Sequence, residues 1–201
     1  MSDIPRPPFY INEYFHAPRV LPADMDTLWA NGWRHFGTYF FRYNLTVMAG
    51  TPKAILALRT DLAAVTLSKS QRRNLRRNSD LQLTVQPLVI DDAKQALFAR
   101  HRERFDENQP PDIYTFVDSH APHDTPCPCL ELTVHHPDGR LLAVSFLDVG
   151  QEAVSSVYAL FDPAESQRGL GIYTMLMELA CRRIASLAAL GSPAATASRT
   201  A

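Results

Sequence analysis

The chain has 201 residues, 46% of them hydrophobic and 20% charged, the balance of one folded domain large enough to bury a core unaided by disulfides or metals. This composition excludes wholesale disorder, and no apolar run approaches the ~18 residues of a membrane span. Twenty basic against 21 acidic residues leave a net charge of -1, so any contact with nucleic acid must come from local clustering of charge.

Residues 1–24 are rich in proline and aromatic rings, including Phe9, Tyr10, Tyr14 and Phe15, and are expected to lie extended over the domain. Their start lacks a basic stretch followed by an apolar run, and Cys127, Cys129 and Cys181 are too few for a disulfide framework; both features point to a reducing cytoplasm. A short helix is predicted from Met25 to about Ala30 or Trp33, with Asp24 as its N-cap and Leu28 and Trp29 inward. Residues 39–43 and 54–58 read as two strands joined by a loop carrying Gly50 and Pro52. A basic segment over 68–78 precedes a strand at 81–85, and 91–108 reads as a helix with Leu97, Phe98 and His101 on one side. After a proline- and histidine-rich loop from Pro110 to Pro128, three strands at 130–134, 141–147 and 154–160 form an antiparallel meander. A helix over about 171–188 has Ile172, Met175, Leu176 and Leu179 at helical spacing, and a small, polar tail closes the chain at 191–201.

In the basic segment, helical geometry puts Lys69, Arg72, Arg73, Arg76 and Arg77 on one face. Ser68 followed by Gln71 has the form of a capping box, so a helix start there has local support. Four of the five cations are arginines, whose planar forks suit phosphate oxygens; the alternative is a solvated face paired with acidic neighbours. A second signal is the strand–helix junction Asp162–Tyr173, where Gly169 and Gly171 allow close approach of backbone N–H groups to an anion and Arg168 adds a positive side chain. It resembles the acyl-donor loop of the GNAT acyltransferases, with Tyr173 in place of a small residue that a coenzyme A pyrophosphate would need.

Together these blocks carry a more specific resemblance. Ser68 to Leu81, then Ser155-Ser156-Val157-Tyr158, Asp162-Pro163 and Arg168-x-Leu170-Gly171-x-Tyr173, are similar to two blocks of the arginyl-tRNA–protein transferases and the bacterial leucyltransferases related to them. Gly32 to Gly37 and Phe40-Phe41-Arg42 resemble the segment before that family's cysteine cluster. The resemblance implies an α+β, GNAT-like fold: a mixed, mainly antiparallel sheet flanked by helices, with an N-terminal aromatic extension (1–60) packed on an aminoacyltransferase-like domain (61–190). It also implies transfer of an amino acid from charged tRNA to the N-terminus of an acceptor protein, with aminoacyl-tRNA as co-substrate and no separate cofactor. On this reading Tyr158 and Arg168 are the catalytic candidates, and Lys69, Gln71, Arg72, Arg73, Arg76, Arg77, Gly169, Gly171 and Tyr173 bind RNA or substrate.

The chain departs from the family pattern in two places. Residues 44–53 hold no cysteine, so a family-type metal or iron–sulfur site is not expected; the final strands are replaced by the Ala/Ser/Thr tail, which predicts an open sheet edge. His120, His123, Cys127 and Cys129 fall within ten residues, but a Cys-x-Cys pair through Pro128 is not zinc-finger spacing, and surface histidines with strand cysteines are expected instead. Two further readings of the whole chain stay open: a non-catalytic RNA- or protein-binding relative, and an acyl-CoA-dependent transferase. Tyr158 reads equally as a core tyrosine.

Overall fold

A computed structural model describes residues 10–106 and 109–180. Its first layer is a three-stranded antiparallel sheet, order β1-β3-β2, built from β1 (Asn12–His16), β2 (Arg34–Phe36) and β3 (Tyr39–Tyr43). Pairing of Phe15 with Phe40 and of Tyr14 with Phe41 sends alternate rings to opposite faces. Phe15 and Phe40 stack at 4.7 Å and pack with Met25, Trp33 and Cys127. The outer face carries Tyr14, Tyr39, Phe41 and Tyr43 in a row, with the Arg34 guanidinium over Phe41 and Tyr43.

Between the first two strands, α1 (Pro22–Ala30) starts three residues before the predicted Met25. Pro22 sits in the first turn, where its missing N–H has no intrahelical partner to lose. Leu21 is therefore the N-cap and Asp24 lies inside the first turn, without the predicted cap bond. A second correction concerns residues 54–58. The strands here are β4 (Leu45–Met48) and β5 (Thr51–Ala54), a hairpin turning on Ala49 and Gly50, both at positive φ, which is the backbone a two-residue hairpin requires. Beyond Ala54 the pairing ends after one bond from Ile55 N–H to the Asn44 carbonyl, and Leu56 and Leu58 stand exposed.

The remaining elements are α2 (Lys69–Arg77), β6 (Gln82–Pro87), α3 (Asp92–Arg102), β7 (Cys129–His135), β8 (Leu141–Val149), β9 (Val154–Phe161) and α4 (Leu170–Ala180). Asp91 caps α3 through the Lys94 N–H at 2.9 Å. That helix stops short of the predicted 108, because Arg104 and Phe105 switch to tighter i→i−3 bonds and the Pro110-Pro111 pair follows. The predicted continuation of the last helix to 188 and the tail at 191–201 lie outside the described residues.

Strands β6 to β9 form an antiparallel sheet in sequential order, and the chain is of the α+β class. One face packs Val144, Phe146 and Leu160 with Leu97 and Phe98 of α3; the other packs Leu132, Val134 and Leu147 with Leu170 and Tyr173 of α4. At about 1.5–3 kcal/mol for each fully buried large apolar side chain, these two layers supply most of the driving force for folding. The first layer docks on this sheet through polar contacts: His35 Nε2 to Asp148 Oδ2 at 2.6 Å, Gly37 N–H to the Phe116 carbonyl, and Val20 N–H to the Pro126 carbonyl. The Asp26 carboxylate of α1 accepts the N–H groups of Gln151, Glu152 and Ala153 at 2.8–3.1 Å, tying α1 to the β8–β9 turn. Among the described residues, β9 has no strand on its outer side.

Candidate functional site

The basic segment is a capped helix. Ser68 Oγ accepts the Gln71 N–H, and the Gln71 side chain accepts the Ser68 N–H at 2.7 Å, so Gln71 is spent on holding the helix start. Lys69, Arg72, Arg73, Arg76 and Arg77 are all exposed at the surface of α2, and none makes an ion pair with a described acidic residue. Arg72 and Arg77 instead donate to the carbonyls of Leu67 and Gln167. A cation face that makes no ion pair among the described residues carries a local positive field despite the net charge of -1.

The opposite face of α2 explains why the helix stays where it is. Leu75 enters the core layer under α4, while Asn74 and Asn78 reach the strand–helix junction. Asn74 Nδ2 donates to the carbonyls of Arg168 and Gly169 at 3.1 Å, and Asn78 Nδ2 donates to that of Arg168 at 2.9 Å. Gly169 is required there twice over. Its φ of +63° is left-handed, and a Cβ on it would lie 2.9 Å from Asn74 Nδ2. The basic face is thereby fixed beside the junction, and Arg77 with residues 164–168 lines an open cleft of about 790 Å³.

The junction itself is internally satisfied. The N–H of Gly169 binds the Ser166 carbonyl, and the N–H groups of Ile172 and Tyr173 both bind the Gly169 carbonyl. Three of the amides an anion would have used are therefore taken. Gly171 lies against the Phe161 ring, which a Cβ would approach to 3.0 Å, and the Tyr173 ring is buried in the core. Arg168 is a strut: its fork pairs with both Asp80 oxygens at 3.0 and 2.9 Å, and its Nε with Glu165 at 3.2 Å. This hydrogen bonding holds Arg168 above its ordinary pKa and Asp80 below its own.

Tyr158 lies elsewhere. It projects from β9 on the α3 side, its ring stacked on Phe116 at 3.7 Å and edge-on to His101 at 6.0 Å. With Phe36, Phe105, Pro111 and Phe116 it lines a second cleft, of about 440 Å³. Its hydroxyl is buried without a hydrogen-bond partner among the described residues, and burial pushes its pKa up, so the group stays protonated and is a proton donor in want of an acceptor. Arg168, Gly169, Gly171 and Tyr173 thus gather with α2 on the α4 side of the sheet, and Tyr158 faces the other side.

Several residues of this arrangement were not singled out from sequence. Asn74 and Asn78 stand four residues apart on the face of α2 opposite the arginines, which is the spacing that marks a second helix face. Phe36 and Phe116 reach the Tyr158 cleft from distant points in the chain, and no local pattern announces them. Glu178 on α4 is pushed up in pKa by burial, with the hydroxyls of Ser145 and Ser156 partly opposing. His120 and His123 lie at the surface, while the Cys127 and Cys129 thiols are buried.

Fold and site define an α+β protein that clamps a cation-faced helix onto a strand–helix junction. Residues 93–190 match the family model of the arginine-tRNA–protein transferase C terminus. The chain is 31% identical over 153 residues to an aspartate/glutamate leucyltransferase of Pseudomonas aeruginosa, covering 74% of this chain and 62% of that one. It is 28% identical over 151 residues to the enzyme of that name from Saccharophagus degradans (74% and 61%) and 26% over 178 residues to that from Helicobacter hepaticus (84% and 70%). The chain is related to this transferase family, as the two sequence blocks led us to expect, and it spans about three fifths of the length of the first two of these relatives.

Proposed function

We propose that this protein transfers an amino acid from a charged tRNA to the N-terminal amine of an acceptor protein. The observation that carries the reading is the cation face of α2, free of acidic partners among the described residues and held by Asn74 and Asn78 against the junction. Arg73 and Arg76 are its exposed phosphate ligands, with Lys69, Arg72 and Arg77 beside them; Arg168 positions the loop through Asp80. The first 60 residues act as an extension that completes the aromatic cleft through Phe36, on a GNAT-like domain over 61–190.

In the reaction the acceptor amine attacks the aminoacyl ester carbon, the ester C–O bond breaks, and the ribose oxygen leaves with a proton while a peptide bond forms. Tyr158, protonated and without a partner, donates to the oxyanion of the tetrahedral intermediate. The cleft around it is lined by rings and prolines with no acidic residue among those described, which favours an apolar aminoacyl group, such as leucyl, over arginyl. Because β9 is the outermost described strand, a single-stranded RNA end held by α2 reaches the Tyr158 side along its free edge. An acyl-CoA donor is disfavoured, since the amides of Gly169, Ile172 and Tyr173 are already bonded.

The test is incubation of the purified chain with leucyl-tRNA or arginyl-tRNA and peptides beginning with Asp or Glu, reading aminoacylated peptide by mass spectrometry. Leucyl transfer that is lost in Tyr158→Phe is the expected result. A second reading, an RNA-binding relative without catalysis, is favoured by the engagement of Arg168 with Asp80 and Glu165. No transfer alongside salt-sensitive tRNA binding selects it, and neither activity nor RNA binding sinks both.

A further inference from the structure

Three side chains that the transfer reaction leaves unused meet in the interior, where the first layer docks on the main sheet. They are His35 of β2, Cys127 of the loop before β7, and Asp148 of β8. One ligand atom from each lies within 4.8 Å of the others, and the three residues are 6%, 1% and 2% exposed. Nothing in the local sequence joins them: two long chain reversals bring an imidazole, a thiol and a carboxylate to one point.

The imidazole is oriented. Its Nδ1 meets the Gly37 carbonyl at 2.9 Å and its Nε2 meets Asp148 Oδ2 at 2.6 Å, so acceptors flank both ring nitrogens. Two protons on the ring satisfy them; so does one proton on Nδ1 with a metal cation at Nε2. The latter is the outer-shell arrangement in which a backbone carbonyl fixes the tautomer of a metal-bound histidine. Charge balance is met as well. A thiolate and a carboxylate taken out of water carry two negative charges, which a divalent cation cancels while the imidazole stays neutral. Without a cation, burial and the Asp148 carboxylate push the Cys127 thiol up, and it remains an inert thiol.

We propose that His35, Cys127 and Asp148 form a binding site for a divalent cation of the zinc type, which fastens the first layer to the main sheet. A nitrogen, a sulfur and an oxygen donor suit that borderline-soft ion. Tetrahedral ligands at about 2.0–2.2 Å stand roughly 3.4 Å apart, so the His35–Asp148 contact opens by under about 1 Å on binding. The ion replaces the Nε2 and Sγ protons, which leave to solvent. Cys129, also buried and facing Asp148, is the nearest further donor.

The full chain, stripped with a chelator under reducing conditions, is titrated with cobalt(II) and then zinc(II). The expected result is a sulfur-to-cobalt charge-transfer band that saturates at one equivalent and is displaced by zinc. In Cys127→Ser that band is lost, and His35→Gln and Asp148→Asn weaken zinc binding at least tenfold. If the variants fail to fold, the native chain decides alone: a folded chain by circular dichroism that takes up no cobalt, or takes it up without a thiolate band, overturns the proposal. One tight equivalent retained in Cys127→Ser overturns it too, and moves the ion to His120 and His123.

Discussion

The two faces of the main sheet make an instructive contrast. On the α4 side, α2 and the 162–173 junction hold nearly every site residue with a sequence signal, and the junction's own groups are occupied with one another. On the α3 side, Tyr158 has little sequence signal beyond the motif it ends, yet it has the unpartnered donor and the apolar cleft. On the proposed function, the first face holds a polyanion in place and the second presents one hydroxyl to a reacting group. That proposal divides positioning and chemistry across one sheet, and five variants test the division.

The largest effect is expected from Phe116→Ala, which removes the ring stacked on Tyr158 and opens a cavity between the layers. A loss of about 3 kcal/mol, read by urea denaturation, is expected; a loss under about 1 kcal/mol would show that the cleft wall is not part of the core. Next comes Asn78→Ala on the other face. Asn78 is fully buried, and its removal leaves the Arg168 carbonyl short of a donor, at about 1–3 kcal/mol. Native-state hydrogen exchange should show α2 opening more readily than α3, and equal acceleration of both helices would refute a clamp specific to α2.

Tyr158→Phe separates function from folding. Removing a buried hydroxyl with no partner among the described residues should leave stability within about 0.5 kcal/mol or raise it, while transfer falls by roughly a hundredfold to a thousandfold. Equal transfer by the variant assigns Tyr158 to the core. Arg73→Ala together with Arg76→Ala should leave stability unchanged and lower tRNA affinity roughly tenfold. The log–log salt slope should become shallower by about 0.7 for each phosphate that the arginines no longer neutralise. An unaltered slope would place the RNA elsewhere.

The smallest effect concerns pH. His101 is held below its ordinary pKa of 6.5, chiefly by burial and further by the Arg104 cation. Below 6.5 the unfolded chain binds the proton more readily than the folded one, so His101 costs stability as pH falls through that value and costs nothing above it. His101→Gln should flatten this acid-side loss in urea midpoints measured above and below 6.5; an identical slope in both proteins removes His101 from the account. Comparison with the native chain cancels His35, which Asp148 holds above its ordinary pKa despite burial and which acts in the opposite direction.

Much of this molecule follows from its sequence. Apolar and β-branched runs between Gln82 and Phe161, bounded by turn residues, mark all four strands of the main sheet, because each strand must face a packed layer. The capping box at Ser68 and Gln71 and the 3.6-residue spacing of the five cations define α2 without reference to any partner. Local rules were weaker where a neighbour decided: Ala54 ends a hairpin because Leu45 pairs with it, and Leu56 and Leu58 beyond it stay exposed. Only the tertiary structure decided that Arg168 is spent on Asp80, that Tyr158 looks away from the basic helix, and that His35, Cys127 and Asp148 share one buried point. Hydrogen bonds and desolvation between distant segments set those outcomes, and they depend on where the chain returns in space and not on the order of its residues.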